Sequence, residues 1–452
     1  MFRLLLLLFS VSTVSSYVKR SVINPELFPE RLWPTDRPIP YTFSSNFTND
    51  AYKTMISETF KLIERSTCLS FVDASEWSYH DGYDSMIMIV NGSADDGCGT
   101  WDLGISPNRN YTEIILGKLC LHTNIIAHEI FHSLGADHTQ NRIDRDDYIV
   151  LNRTALDPTF KDQYYIEDGE NFTILGVPYD FNSVMHYPPL MANGTDMASR
   201  DELYQRAMGA NKYGPSHSDL LLINRLYNCL DRCAPAKTVC ENEGFAHPKD
   251  CQRCICPRGF SGAFCAEAEV TFKDSERSCG GIQYAFDEPR TLNVTLSQNE
   301  TCYYHLKASA GKRIEIDSFE LLGSAENCSS AIEVRLGSFL VGGYVFVCDA
   351  GLPQRAVRSE GNLAVISLVT KREAASFALR FRSVDVKESA DSTKNSTKRN
   401  LATTMYNSGQ SAVFACLLTA TILFTTMVLC DHRCRLRDPD NLARPGDLVE
   451  SD

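Results

Sequence analysis

The run His128-Glu129-Ile130-Phe131-His132-Ser133-Leu134-Gly135-Ala136-Asp137-His138 carries the chemistry of this chain. Two histidines four apart on a helix share one face, one turn apart, so their imidazoles can hold a single metal ion. Glu129 is poorly placed to join that ligand set but near enough to act on a water at the metal. Gly135 lets the chain leave the helix with positive φ and turn back, which brings His138 round as a third ligand. Three histidines with one position left open is the pattern of a catalytic zinc site, because structural zinc sites are closed by four protein ligands. One Zn2+ per chain is therefore expected, held by His128, His132 and His138.

Further along lies Ser183-Val184-Met185-His186-Tyr187. With the histidine string it makes the metzincin arrangement, in which Met185 is expected to form an apolar floor beneath the metal. Arg142-Ile143-Asp144-Arg145-Asp146 and Tyr179-Asp180-Phe181-Asn182 narrow the match further. Residues 32–229 closely resemble the astacin family of metalloproteases, from Trp33-Pro34 to Ile223-Asn224-Arg225-Leu226-Tyr227-Asn228-Cys229. The resemblance implies a two-lobed α+β catalytic domain with the active-site helix between the lobes and a mostly antiparallel five-stranded sheet above the cleft. It implies that Glu129 is the general base acting on a zinc-activated water, and that Tyr187 is an additional zinc ligand that swings away to support the oxyanion. It also implies the disulfides Cys68–Cys229 and Cys98–Cys120. Two positions depart from the family pattern: Thr139 follows the third histidine where most members carry Glu, and Gly209-Ala210-Asn211 replaces the usual Gly-Gln-Arg. Lys212 is then the candidate cation for the substrate pocket.

Apolar periodicity supports a mixed domain. Tyr52, Met55, Ile56, Phe60 and Ile63 give residues 49–65 the spacing of an amphipathic helix. Residues 86–90 and 112–116 read as strands, and 123–134 as a helix ended by Gly135.

Downstream the composition changes. Cys233, Cys240, Cys251, Cys254, Cys256 and Cys265 crowd into residues 230–266, a unit too small to build a large core without staples. Its ending, Cys254-Ile255-Cys256 followed by Gly259-Phe260 and Cys265, resembles an EGF-like module, which implies pairs Cys233–Cys251, Cys240–Cys254 and Cys256–Cys265. Residues 279–384 carry alternating runs such as Arg313-Ile314-Glu315-Ile316-Asp317. With Cys279/Cys302 and Cys328/Cys348 this segment resembles a CUB domain, a β-sandwich that would bind substrate or matrix proteins or act as a spacer.

The ends address the chain to the secretory route. Residues 1–16, with Arg3 before the apolar stretch 4–9, read as a signal peptide. Residues 17–31 read as a short pro or N-terminal segment, with Lys19-Arg20 as a minimal processing site. Residues 385–410 are a polar stalk. Residues 411–430 form an uncharged apolar run of 20, enough to match a hydrocarbon core of about 30 Å. His432, Arg433, Arg435 and Arg437 follow and place the tail 431–452 in the cytosol. Ten Asn-X-Ser/Thr sequons, from Asn46 to Asn395, all precede the run. The whole reads as a single-pass type I cell-membrane protein with an extracellular ectodomain, open to shedding at Lys398-Arg399.

Formal net charge is −13, which excludes nucleic acid as the main partner. The expected partners are extracellular protein or peptide substrates. The alternative function is a catalytically silent adhesion or receptor ectodomain working through its EGF and CUB modules. Loss of a ligand or of the base would favour it, and all five site residues are present.

Overall fold

The computed structural model describes residues 21–386 apart from 77–83, 93–96, 157–160, 167–169, 190–195, 212–213, 275–276, 323–329, 348–354 and 372. The signal peptide, Lys19-Arg20, Lys212, the Cys328/Cys348 pair, and the stalk, apolar run and tail beyond residue 386 lie outside the described residues. Among the described residues no helix is long and apolar enough to cross a membrane.

The packed body begins at Ser21, upstream of the boundary expected at residue 32. Strand β1 (Val22–Ile23) lies in the interior, and Ser21 is 4% exposed. The reason is local. Gly135 leaves the active-site helix at φ +99°, and a Cβ there would stand 2.9 Å from Ile23 Cδ1. Ile23 N–H donates to Gly135 O, and Asp137 N–H to Ser21 O. The N-terminal strand thus packs against the turn that delivers His138.

The upper lobe is a five-stranded sheet built from β2 (Ile39–Phe43), β3 (Phe71–Asp73), β4 (Met86–Asn91), β5 (Cys98–Thr100) and β6 (Tyr111–Leu116), in the order β3-β2-β4-β6-β5. The expectation of a mostly antiparallel sheet is corrected here. Three of the four pairings are parallel, and only β5–β6 is antiparallel. Parallel neighbours need a long crossover, and the chain supplies one between β2 and β3 in helix α1 (Asp50–Glu64). Asn49 caps α1 by accepting from Tyr52 N–H, and Ile56, Phe60 and Ile63 turn inward as the spacing predicts. On β4 and β6 burial alternates, so one face of each packs on the core.

Helix α2 (Thr123–Ser133) carries the first two histidines and closes the same core through Ile126, Ala127, Ile130 and Phe131. Below it the lower lobe has little regular structure: β7 (Ile149–Leu151) pairs with β9 (Met197–Ser199), and β8 (Phe172–Thr173) with β1. Helix α3 (His217–Leu226) opens on a capping box between Ser216 and Asp219 and ends the body.

A small disulfide-rich unit follows, with hairpin β10 (Phe245–His247)–β11 (Asp250–Ile255) and the pair β12 (Phe260–Ser261)–β13 (Glu267–Ala268). A β-sandwich follows. One sheet holds β14 (Val270–Asp274), β15 (Arg277–Tyr284), β17 (Thr301–Lys307), β19 (Ala331–Arg335), β20 (Tyr344–Val347) and β22 (Leu363–Val369). The other holds β16 (Arg290–Leu296), β18 (Lys312–Leu322), β21 (Val357–Arg358) and β23 (Ala375–Asp385). Alternate residues such as Leu306, Ile314, Ile316, Ile366, Phe377 and Phe381 meet between the sheets. The sandwich starts at Val270, ahead of residue 279, because β14 pairs with β15. Disulfides join Cys68–Cys229, Cys98–Cys120, Cys233–Cys251, Cys240–Cys254, Cys256–Cys265 and Cys279–Cys302, as expected.

Candidate metal centre

Helix α2 and the turn after it bring His128, His132 and His138 to one point. Their Nε2 atoms form a near-equilateral triangle: 3.0 Å for His128–His132, 3.1 Å for His132–His138 and 3.2 Å for His128–His138. The opposite ring nitrogens face the protein. His128 Nδ1 lies 2.8 Å from Val184 O, His132 Nδ1 lies 2.7 Å from Ala136 O, and His138 Nδ1 lies 3.6 Å from Asp137 Oδ1. The two carbonyls accept, so Nδ1 carries the proton in those rings and the Nε2 lone pair points into the triangle.

Burial, then His132, pushes the His128 imidazole down to about 3. Burial, then His132 and His128, holds His138 well below the ordinary range. Three ring nitrogens converging on one point suit a shared cation. Zinc–nitrogen distances of about 2.0–2.1 Å are compatible with ring nitrogens at this spacing. Among the described residues this is the one cluster of His, Cys, Asp or Glu with metal-binding geometry, and it fits a single zinc ion.

Glu129 sits beside this cluster, 4% exposed. Burial raises its pKa, against the opposing pull of His132 and of Thr100, whose Oγ1 donates to Glu129 Oε2 at 2.9 Å. Sequence reasoning missed Thr100, which reaches the site from sheet-edge strand β5. No local pattern marks it, because its partner Glu129 lies 29 residues away.

The segment 179–187 forms the other wall. Met185 is 1% exposed, and its carbonyl accepts the N–H of Thr139, the residue after the third histidine. The Tyr187 ring lies 4.3 Å from that of His138, centre to centre, and its N–H donates to Gln140 Oε1. Burial raises the Tyr187 hydroxyl well above its ordinary value, with Glu129 and Asp137 adding to the effect. His186 bridges Tyr179 Oη and Tyr187 O, and burial pushes it down to about 4.

At the departure from the family pattern, Thr139 Oγ1 donates to Ser183 Oγ, which in turn donates to Asp219 Oδ1. Thr139, Ser21, Asp180 and Asp219 line one small cavity, so buried carboxylates stand near Thr139. Asn211, at the other departure, donates to Asn182 O and Gly214 O and so has a framework role.

The helix-borne histidine pair, the returning third histidine and the triangle of converging Nε2 atoms define the class: this is a zinc metalloendopeptidase. Comparison with known proteins agrees. The model of the Astacin peptidase family matches residues 26–228. Zinc metalloproteinase nas-29 of Caenorhabditis elegans is 30% identical over 390 residues, covering 83% of this chain and 70% of that one. Zinc metalloproteinase nas-27 of the same organism is 29% identical over 399 residues, covering 83% of this chain and 89% of that one. Among solved structures, high choriolytic enzyme 1, a hatching enzyme zinc-protease from Oryzias latipes (Medaka fish), aligns at 27% identity with a TM-score of 0.37, covering 42% of this chain and 88% of that chain. The chain belongs to the astacin family.

Proposed function

We propose that this chain is a membrane-anchored endopeptidase of the extracellular space. In this reading His128, His132 and His138 hold the zinc, Glu129 is the general base and Tyr187 supports the oxyanion. The observation that carries the reading is the buried Glu129 carboxylate fixed beside the histidine triangle. Zinc, when bound, lowers the pKa of water and polarises the scissile carbonyl.

The protein's own groups do the rest. Glu129 takes a proton from the attacking water and passes it to the leaving amine. Its raised pKa brings it nearer the range in which it can both accept and return that proton. Thr100 holds one carboxylate oxygen, which fixes the direction of the transfer. The Tyr187 hydroxyl stays protonated and can donate to the oxygen where negative charge develops.

Membrane anchoring is supported by the apolar run 411–430, the basic residues after it and the sequons before it. The disulfide pattern of 230–266 and the two-sheet sandwich support EGF-like and CUB modules for the two C-terminal units. They would bring protein substrates or matrix to the cleft.

The test is zinc content and peptide cleavage of the ectodomain beside its Glu129→Ala variant. The expected result is one zinc in both and cleavage by the wild type alone, with a loss on the order of 10²–10⁴-fold. Equal cleavage by both removes Glu129 from the mechanism. Zinc in both with no cleavage by either favours a silent adhesion ectodomain.

A further inference from the structure

The lower lobe of the catalytic body does not close on its own residues. Its apolar cluster gathers Ile149, Tyr164, Tyr179, Phe181, Met197 and Met208, and Tyr187 packs against it. One further member, Val345, comes from β20 of the sandwich, and Val347 of the same strand packs against the cluster. β20 is the end strand of its sheet. An uncovered edge is a liability, and here the catalytic body lies over it.

Polar contacts fix the register of that union. Gly342 N–H donates to Asp180 Oδ1 at 3.0 Å, and Asn182 Nδ2 donates to Gly343 O at 3.1 Å. Asp180 is fully interior. Its other partners include the Asn182 N–H and the Ser218 hydroxyl, both within the catalytic body. A Cβ at Gly342 would stand 2.0 Å from Asn182 Nδ2, so only glycine fits. Beside this, the Tyr344 ring lies 4.5 Å from that of Tyr204, which lies 4.6 Å from Phe181, and Tyr344 Oη donates to Asp201.

The disulfide-rich unit holds the approach to the contact. The Glu243 carboxylate accepts from the N–H groups of Phe339 and Leu340 and from the Ser338 hydroxyl. Asp180 and Asn182 stand in the same irregular segment as Met185 and Tyr187. That segment has no ladder of its own, so its position depends on what it is packed against.

We infer that Gly342 and Val345 of the sandwich are positioning residues for Tyr187. The sandwich is then a working part of the cleft wall as well as a docking module. The zinc histidines sit on α2 and its turn, and they meet the segment at Val184 O, which accepts from His128 Nδ1. Val184 is itself held by Asp219 and the upper core, a support separate from Gly342. Disturbing the Gly342 contact should move Tyr187 and leave the zinc in place. This inference rests on the role given to Tyr187 above, and its test separates the two.

In the full ectodomain, Gly342→Ala, Tyr187→Phe and the double variant are compared for zinc content, kcat and KM. Gly342→Ala alone is expected to lower kcat about 10- to 100-fold, the cost of a small misplacement, with zinc retained. In the Tyr187→Phe background the same substitution should cost little more, because the group it displaces is already gone. If the two losses multiply, or if zinc is lost with activity, the inference is overturned. If Tyr187→Phe alone costs nothing, the role of Tyr187 fails instead. Should Gly342→Ala not yield folded protein, Val345→Ala, which removes packing without a clash, is read by the same criteria.

Discussion

The two lobes of the catalytic body are held by different physics. The upper lobe is a sheet and a helix around an apolar core of Ile39, Ile56, Phe60, Ile63, Ile87, Ile89 and Ile114. The lower lobe is irregular, and much of its interior is charged or polar. Arg145 is 1% exposed, and its Nη1 donates to Gln140 O, Tyr164 O and Tyr165 O. Arg142 forms a two-point pair with Asp144 and also donates to Val177 O. Apolar burial is non-directional and tolerates small shifts. A buried guanidinium aimed at named carbonyls does not, because each lost bond strands a polar group. The helix that carries His128 and His132 belongs to the tolerant side and the opposite wall of the site to the exacting one.

The largest effect should follow from breaking the exacting side. Arg145→Ala strands three carbonyls and should cost on the order of 3–5 kcal/mol. Urea unfolding measures the loss, and limited proteolysis should show cuts first within 140–187. Ile87→Ala, in the centre of the upper sheet, should cost about 3 kcal/mol by leaving a cavity. It should lower the whole transition without a preferred cut. Cuts in the same place for both variants would erase the distinction between the lobes.

A pH dependence sharpens the contrast further. Burial, then Asp180, raises the Asp219 carboxyl to about 6. Its unfolded value is near the ordinary one of about 3.9, so the folded state disfavours the charge. The stability contribution is full below pH of about 4 and is lost as pH rises towards about 6, by about 1–3 kcal/mol. Chemical denaturation across pH 4–7 should show this fall in the wild type and a flatter profile in Asp219→Asn. The smallest effect is at the exposed cap of α1, where Asn49→Ala should cost about 1 kcal/mol in thermal unfolding.

The same division decided what the sequence could say. The zinc string was legible because helical spacing is a local rule, and α1 because Ile56, Phe60 and Ile63 recur at its period. The direction of the sheet strands was not, because pairing is set by crossovers and not by alternation within a strand. Ser21, Val22 and Ile23 read as part of a short pro or N-terminal segment and are interior, a placement set by partners far away in the chain, Thr173 and Gly135. Arg142, Arg145 and Asp180 carried the family resemblance without showing what they bind, and only the fold shows the carbonyls, hydroxyls and N–H groups that satisfy them and Asp219. The contact of Gly342 with Asp180 spans 162 residues and leaves no mark in either segment alone.

The central claim is that one zinc ion sits among His128, His132 and His138. Anomalous scattering from a crystal of the ectodomain, recorded on either side of the zinc edge, tests it most directly. A single peak about 2.0–2.1 Å from all three Nε2 atoms is the predicted result. A peak held by other residues, or none in zinc-saturated protein, would contradict it.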